Sequence, residues 1–283
     1  NPHPEKAVVG VRFEPVSGLI VISALAAGDV TEQPLRWRRR RKALLTLPEG
    51  VAFAPDLDDA GLLQQIRLDM GQVISALPRL VYPNAAWSDS YNNRLPQVAE
   101  REILIEYTSH PDACFHLWDG RVIPVSQVEA DLTSLPRPVR SVAPAAQRVN
   151  LKVVDSSERP VAVKLHIHGE AGEYLPPVDR HRIINGAWFE DYSVDFLHNG
   201  LHSTAYIPGE TWVDLPLGNV YVEVSKGFEI RPVRTVIAVT PETTEIVIPI
   251  EKVLPWREKG WVTADTHVHF LSPMSALLEG AGE

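Results

Sequence analysis

Alternation of apolar and polar residues recurs through the second half of the chain. It runs over 148–155, 161–168, 220–224, 234–239 and 244–250. Side chains of a strand point alternately to opposite faces of a sheet, so this period indicates strands with one buried face. Because the strands are short and separated by turn residues, residues 148–252 are predicted to form a β-sandwich domain.

A different spacing marks residues 58–80. Apolar side chains recur there at intervals of three and four. This period predicts an amphipathic helix, capped by Asp58 or Asp59 and ended by Pro78 and Pro83.

The rest of the first half predicts strands, turns and a linker. Residues 7–25 are typical of a hairpin, and 102–107 and 113–118 of two further strands. Three prolines within 134–147 indicate an extended linker. We therefore expect an α+β domain with its linker over residues 1–147.

Composition limits the possible functions. Hydrophobic residues make up 45% and charged residues 22%, as in ordinary soluble globular proteins. The net charge of −9 argues against a nucleic-acid partner, and no apolar run reaches the roughly 18 residues that span a membrane. Cys114 is the only cysteine, which excludes an intrachain disulfide and fits either a bacterial cytoplasm or periplasm.

The basic run 36–42 has two interpretations. Such a run is typical of nuclear-localisation or nucleic-acid-binding patches. It is also compatible with an exposed strand or loop that docks against acidic neighbours. We favour the second interpretation, because no other feature of this acidic chain points to nucleic acid.

The strongest chemical signal lies close to the end of the chain. Residues 261–270 alternate, so a strand would place Asp265, His267 and His269 on one face. Neutral imidazole is a common ligand of zinc and related metals, so these residues are candidate metal ligands. Ser272 and Pro273 then predict the cap and first residue of a helix, as expected for a strand–helix unit.

Residues 260–273 resemble the start of the catalytic domain of the carbaryl-hydrolase-like (CehA/McbA) metallohydrolases of the PHP superfamily. The resemblance implies the first βα unit of a PHP-type β/α barrel over 253–283, with His267 and His269 as two metal ligands. Asp265 would be a further ligand or would orient a histidine. It also implies a divalent metal centre (zinc, manganese or iron) that activates water to hydrolyse ester, amide, carbamate or phosphoester bonds.

A second resemblance concerns the predicted sandwich. The runs around 153–161 and 214–224 resemble carboxypeptidase-regulatory-like (transthyretin-like) modules. The overall expectation is a mainly β protein with some α structure: an α+β region, a transthyretin-like β-sandwich and the opening of a barrel.

The family's later metal ligands are not among these 283 residues. We therefore expect the chain to be the leading portion of a longer enzyme and to be inactive alone. We expect residues 253–283 to be unfolded, or paired with the remainder of the barrel. The expected partners are a small-molecule substrate and that remainder, with no nucleic acid or membrane. A homo-oligomer stays an open alternative.

Two further alternatives are open. Residues 1–251 could instead be a non-catalytic β-sandwich module that binds a partner or saccharide. His166 and His168 form a second His-x-His pair, which could bind metal or lie on the solvated face of a strand. We favour the solvated face, because Lys164 shares it and a cation disfavours metal binding. The aromatic and acidic stretch 179–202 could line a substrate pocket or be a polar insertion.

Overall fold

The computed structural model describes residues 9–14, 16–18, 21–22, 40–82, 97–130, 137–179, 182–185, 190–193, 195–198, 202–264 and 273–283. Residues 1–36 and 37–283 are two separate compact units. In the first unit, residues 9–14 and 21–22 form no strand, so the predicted hairpin is wrong for the part that is described.

The second unit begins with a four-stranded antiparallel sheet. Its spatial order is β3-β4-β1-β7. The strands are β1 Arg41–Thr46, β3 Gly71–Leu80, β4 Val98–Ser109 and β7 Val139–Ser141. One face of this sheet carries Ala43, Leu45, Ile103 and Ile105 into a core from which water is excluded.

A smaller sheet and a short helix cover that core. The sheet has the order β2-β5-β6, and the helix follows its last strand directly. These elements are β2 Ile66–Leu68, β5 Cys114–Leu117, β6 Val122–Pro124 and α1 Val125–Ala130. The rings of Tyr107 and Phe115 meet edge to face at 5.1 Å between the two sheets.

The helix predicted over 58–80 is wrong. The segment forms β2 and β3, and β3 pairs with β4 through register shifts at Val73/Ser75 and Pro78/Leu80. A bulge adds one residue to a strand, so the inward spacing from Val73 to Ala76 becomes three and imitates a helical period. Asp58 caps a turn instead: its Oδ1 accepts hydrogen bonds from the backbone N–H of Ala60 and of Leu62, each at 3.0 Å.

The predicted linker over 134–147 is also partly wrong. Val139–Ser141 forms strand β7 and pairs antiparallel with β1, with Arg140 opposite Leu44. No proline lies within Val139–Ser141, so each of its residues keeps a backbone N–H that can hydrogen-bond. The short run can therefore pair at the edge of the sheet. The described part of 40–147 contains one helix, of six residues. This region is therefore mainly β and not α+β as expected.

Two sheets that share one core follow. The three-stranded sheet has the order β14-β8-β18, in which β18 runs parallel to β8, and the five-stranded sheet has the order β12-β13-β9-β15-β17. Their strands are β8 Gln147–Val154, β9 Val163–Gly169, β12 Asp195–His198, β13 His202–Ile207, β14 Glu210–Leu215, β15 Gly218–Ser225, β17 Val233–Val239 and β18 Glu245–Pro249. The alternating apolar side chains of both sheets fill the core, as the sequence pattern predicts.

Among the described residues, the unit also contains four short strands and two helices. The hairpin of β10 Arg182–Asn185 and β11 Glu190–Ser193 lies in the segment predicted to be a loop or insertion. β16 Ile230–Arg231 pairs with β19 Glu251–Lys252, and Arg257–Lys259 forms a 3-10 helix. Helix α2 is Pro273–Gly282. No helix among the described residues is long and apolar enough to cross a membrane.

Candidate functional site

The residues proposed as metal ligands, Asp265, His267 and His269, lie outside the described residues. On their N-terminal side, residues 261–264 form no strand, and Trp261 and Val262 are 64% and 83% exposed. The strand predicted over 261–270 is therefore wrong for these four residues. A strand with an apolar face needs a neighbouring strand to cover it, and none of the described strands pairs with this segment.

On the C-terminal side, helix α2 begins at Pro273, where the sequence predicts a first helical residue. The end of α2 packs on the five-stranded sheet: Gly282 lies against the Tyr206 ring, the Tyr206 hydroxyl donates to the Glu283 carboxylate, and Lys164 Nζ lies 2.6 Å from Glu283 Oε1. Residues 273–283 are therefore folded onto the sandwich, contrary to the expectation for this end of the chain. Two contacts hold the helix there: Gly282 has no side chain to keep it from the Tyr206 ring, and Glu283 pairs with Lys164 of the sheet.

A cavity of about 730 Å³ lies between these two flanks. Trp261, Val262 and Thr263 contribute to its wall immediately before the metal-ligand segment. Gly280, Ala281 and Glu283, at the end of helix α2, also line it, as do residues 226–230. A volume of this size is typical of small-molecule sites, which generally lie in the range of about 300–1,000 Å³.

Aromatic rings dominate the exposed surface of this cavity. The indoles of Trp256 and Trp261 meet edge to face at 6.1 Å, and Phe228 is 77% exposed. The chain reverses between the two indoles at Gly260, which adopts a left-handed φ of 82°. The backbone N–H of Gly260 donates to the Arg257 carbonyl and closes the 3-10 turn. Glu229 Oε1 accepts the Arg257 N–H at 2.7 Å, which holds this turn against the sandwich.

Lys226 supplies a half-buried positive charge to the wall of the cavity. Its ammonium donates to the Ala162 carbonyl at 2.9 Å and to the Ala281 carbonyl. Burial, with the nearby Arg257 charge, lowers the pKa of Lys226. In the Glu283 carboxyl, burial opposes ionisation, but hydrogen bonds from Lys164 and Tyr206 outweigh it and lower the pKa. The cavity wall thus combines apolar and aromatic side chains with two opposite charges, Lys226 and Glu283.

His166 and His168 are buried, so the expectation that they lie on a solvated face is wrong. They are on the outer face of β9, with Leu165 and Ile167 in the core on the other side. His166 Nδ1 lies 2.8 Å from the Ser203 carbonyl, while the His168 ring stacks on Tyr82. Tyr82 follows β3 of the first sheet, so a distant part of the chain covers this face.

These two histidines do not form a joint metal site, because each imidazole meets different neighbours. Among the residues that the structure describes, no group of three His, Cys, Asp or Glu side chains is placed to hold a metal ion. The aromatic and acidic stretch 179–202 is described mainly as backbone. Its described side chain, Asp179, accepts the Trp212 N–H at 3.0 Å and the Thr211 hydroxyl, and lines a separate small cavity of about 270 Å³.

Sequence reasoning missed one buried acidic residue, Glu173. It is 3% exposed and lies in the wall of two further cavities. Burial raises the pKa of the Glu173 carboxyl to about 7. The sequence contained a signal for the turn that carries Glu173. It is the run Gly169-Glu170-Ala171-Gly172-Glu173, whose two glycines indicate a tight turn directly after a strand.

Comparisons with known proteins do not place the chain in a family. No family model matches it, and no curated protein matches it. A solved structure that matches is the crystal structure of BcpA, the major pilin subunit of Bacillus cereus, at 10% sequence identity. The match covers 77% of this chain and 61% of the pilin chain, with a TM-score of 0.23, so it carries no argument about fold or function.

Proposed function

We propose that the chain is the N-terminal portion of a metal-dependent hydrolase that acts on ester, amide, carbamate or phosphoester bonds. One observation carries the proposal: the segment directly before the Asp265–His269 motif and the end of helix α2, which follows the motif, line the same apolar cavity of about 730 Å³. A cavity beside metal ligands is the arrangement that a hydrolase needs, since the substrate must lie within reach of the activated water.

The donor set of the motif suits a divalent ion. His267 and His269 would each offer a neutral imidazole nitrogen, and Asp265 would offer a carboxylate or hold one imidazole in the right orientation. When bound, such an ion supplies a water of lowered pKa near neutral pH. The further ligands of a multinuclear site would come from the remainder of a PHP-type barrel, of which residues 253–283 are the first βα unit.

The described residues would bind and orient the substrate. Trp256, Trp261 and Phe228 offer ring faces to an apolar group and exclude water from it. Lys226, held by two carbonyl groups, offers a positive charge in the cavity wall. The β-sandwich, which resembles transthyretin-like modules in sequence, would be an accessory domain that forms the wall opposite the barrel.

Metal content tests the proposal. The chain is stripped with a chelator and equilibrated in turn with zinc, manganese and iron(II), and the bound metal is counted by elemental mass spectrometry. We expect about one ion per chain, because two imidazoles and a carboxylate leave an open position for water. The H267A/H269A variant should lose it, while the H110A/H116A variant, which removes two surface imidazoles, should retain it. Equal metal content in all three proteins, or none in the wild type when the remaining barrel is supplied, would contradict the proposal.

A non-catalytic binding module is the second candidate function. The exposed indoles and Phe228 favour it, because they can bind an organic ligand without any metal. The two functions separate in one comparison. A hydrolase requires His267 and His269 for turnover when the remaining barrel is supplied, whereas a binding module retains ligand affinity in the H267A/H269A variant and shows no turnover.

A further inference from the structure

Strand β17 forms one edge of the five-stranded sheet. It pairs with β15 on one side, and none of the described strands pairs with it on the other. Its residues 233 and 235–239 form no backbone hydrogen bond with a loop or turn of the described chain. Every second residue of an edge strand directs its N–H and C=O outward, so β17 presents a row of backbone groups to which another strand can pair.

The other edges of the three large sheets are protected. Proteins commonly blunt an edge with a proline, a bulge, a short strand or a covering loop. β3 contains Pro78 and two register shifts, β7 has three residues, β12 has four, and β18 ends in Pro249. β14 is covered by the segment before it in the sheet: the Trp212 carbonyl accepts the Val178 N–H at 2.8 Å, and Asp179 accepts the Trp212 N–H.

β17 has none of these protections. It is seven residues long, contains no proline and stays in register with β15 over its whole length. Its one charged residue, Arg234, pairs with Glu223 of β15 at 3.1 Å. On the outer face Val236 is 47% exposed, and Ala238 is exposed as well. A long, regular and largely apolar edge is suited to pairing with a further strand.

The charges at the two ends of β17 favour a second copy of the same strand. Arg231 lies before the strand and Glu242 lies after it, and both are exposed. Antiparallel pairing of two copies brings Arg231 of one copy next to Glu242 of the partner subunit, whereas parallel pairing would bring like charges together. Arg231 also lies 3.3 Å from Glu251, but such an exposed pair is weak and leaves the guanidinium available.

The register follows from the length of the strand. All seven residues find a partner when the two-fold axis passes at Val236, the central residue of Val233–Val239. In that register Arg234 lies opposite Ala238 of the partner subunit, and Val236 lies opposite Val236 of the partner subunit. No like charges face each other, so the strand is complementary to itself.

We propose that two copies of the chain associate by antiparallel pairing of their β17 strands about a two-fold axis at Val236. The two five-stranded sheets then form one continuous sheet, which removes both open edges. None of the β17 residues lines the cavity beside the metal-ligand motif. The inference therefore does not depend on the proposed hydrolase.

Sedimentation velocity of the full chain tests the proposal. The interface is small, so we expect dimers to form with a dissociation constant in the micromolar range, visible between about 1 and about 100 µM. Val236→Lys places two ammonium groups directly opposite each other and should raise the dissociation constant about tenfold or more. Val247→Lys is the matched control, because Val247 is 51% exposed on edge strand β18. It should dimerise as the wild type does.

Charge reversal locates the axis. Val236→Glu alone should dissociate as Val236→Lys does, but an equimolar mixture of the two variants should form dimers at least as tightly as the wild type, because opposite charges then meet. Cooperative urea unfolding of each variant checks that it folds. A wild type that stays monomeric at about 100 µM, or a dissociation constant that Val236→Lys leaves unchanged, would overturn the proposal. Equal weakening by Val247→Lys, or a mixture that stays monomeric, would overturn it too.

Discussion

The Tyr82 ring stacks on the His168 imidazole, with ring centroids 4.7 Å apart and an angle of 18° between the planes. The same tyrosine also stacks on Tyr221 at 5.7 Å. Tyr82 comes from the end of β3, whereas His168 and Tyr221 lie on neighbouring strands of the five-stranded sheet. This three-ring contact therefore joins the first sheet to the sandwich.

Removing the Tyr82 ring should destabilise the chain. We expect Tyr82→Ala to lower the free energy of unfolding by about 3 kcal/mol, because it empties a buried aromatic site. Urea unfolding followed by circular dichroism measures the loss. Phe228→Ala is the control: its ring is 77% exposed, so its truncation should change stability by no more than about 0.5 kcal/mol. Equal losses in the two variants would contradict the structural role of the stack.

Gly172 should be intolerant of any side chain. It has a left-handed φ of 76°, and a Cβ there would lie 2.9 Å from the Leu80 carbonyl carbon and would press on its oxygen. We expect Gly172→Ala to cost about 2–4 kcal/mol, combining backbone strain with displacement of β3.

Gly120 separates these two causes. It shares the left-handed φ, at 84°, but a Cβ there meets nothing within 4 Å. Gly120→Ala should therefore cost only the backbone part, about 1 kcal/mol, in the same unfolding measurement. A loss at Gly172 no larger than that at Gly120 would mean that the contact with Leu80 does not matter.

The buried Glu173 carboxyl should make stability depend on pH. Its pKa is raised from 4.5 to about 7 by burial, so the folded chain holds this proton more tightly than the unfolded chain. Its contribution is therefore fully present below about pH 4.5 and is lost as pH rises through about 7. The size is about 3 kcal/mol at most, since one pKa unit corresponds to about 1.4 kcal/mol.

Glu173→Gln isolates that contribution. The difference in unfolding free energy between wild type and variant should favour the variant increasingly as pH rises from 4.5 to about 7, and then level off. Chemical unfolding at a series of pH values measures this difference. A difference that stays constant over the range would show that Glu173 does not titrate differently in the two states.

Glu223 and Arg234 form a pair that should behave as a unit. Arg234 Nε lies 3.1 Å from Glu223 Oε2, and the two side chains are 17% and 11% exposed. Glu223→Leu alone should cost about 3 kcal/mol, because it leaves a largely buried guanidinium without this partner. The Glu223→Leu/Arg234→Met double variant should recover most of the loss, as measured in a double-mutant cycle. Additive losses would contradict the coupling.

Several strands of the sandwich could be predicted closely from the sequence, whereas β12 and β13 could not. Residues 148–155 and 161–168 alternate, and they form β8 and β9 within one or two residues at each end. Alternation is informative there because each strand has one face in a single shared core. The segment 58–80 misled, because a bulge in β3 changed the spacing between the inward residues Val73 and Ala76 from two to three.

Sequence reasoning identified the Asp265–His269 motif but not Glu173. The Asp265–His269 motif is local, so its residue types and spacing suggested metal chemistry directly, and that assignment stays a prediction. The surroundings of Glu173 are not local: β1 and the turn after β9 line the same cavity. No pattern within either segment indicates the other.

The sequence by itself determined several strands of residues 148–252 and which of their faces is apolar, because a period of two fits only an extended chain with one buried side. The tertiary structure decided what covers the opposite faces. His166 and His168 alternate with core residues, as side chains on a solvated face would. They are nevertheless buried, because Tyr82, which follows strand β3 of the first sheet, packs on that face. Burial of a polar face depends on which distant element packs there, and that choice follows from contacts that no local pattern records.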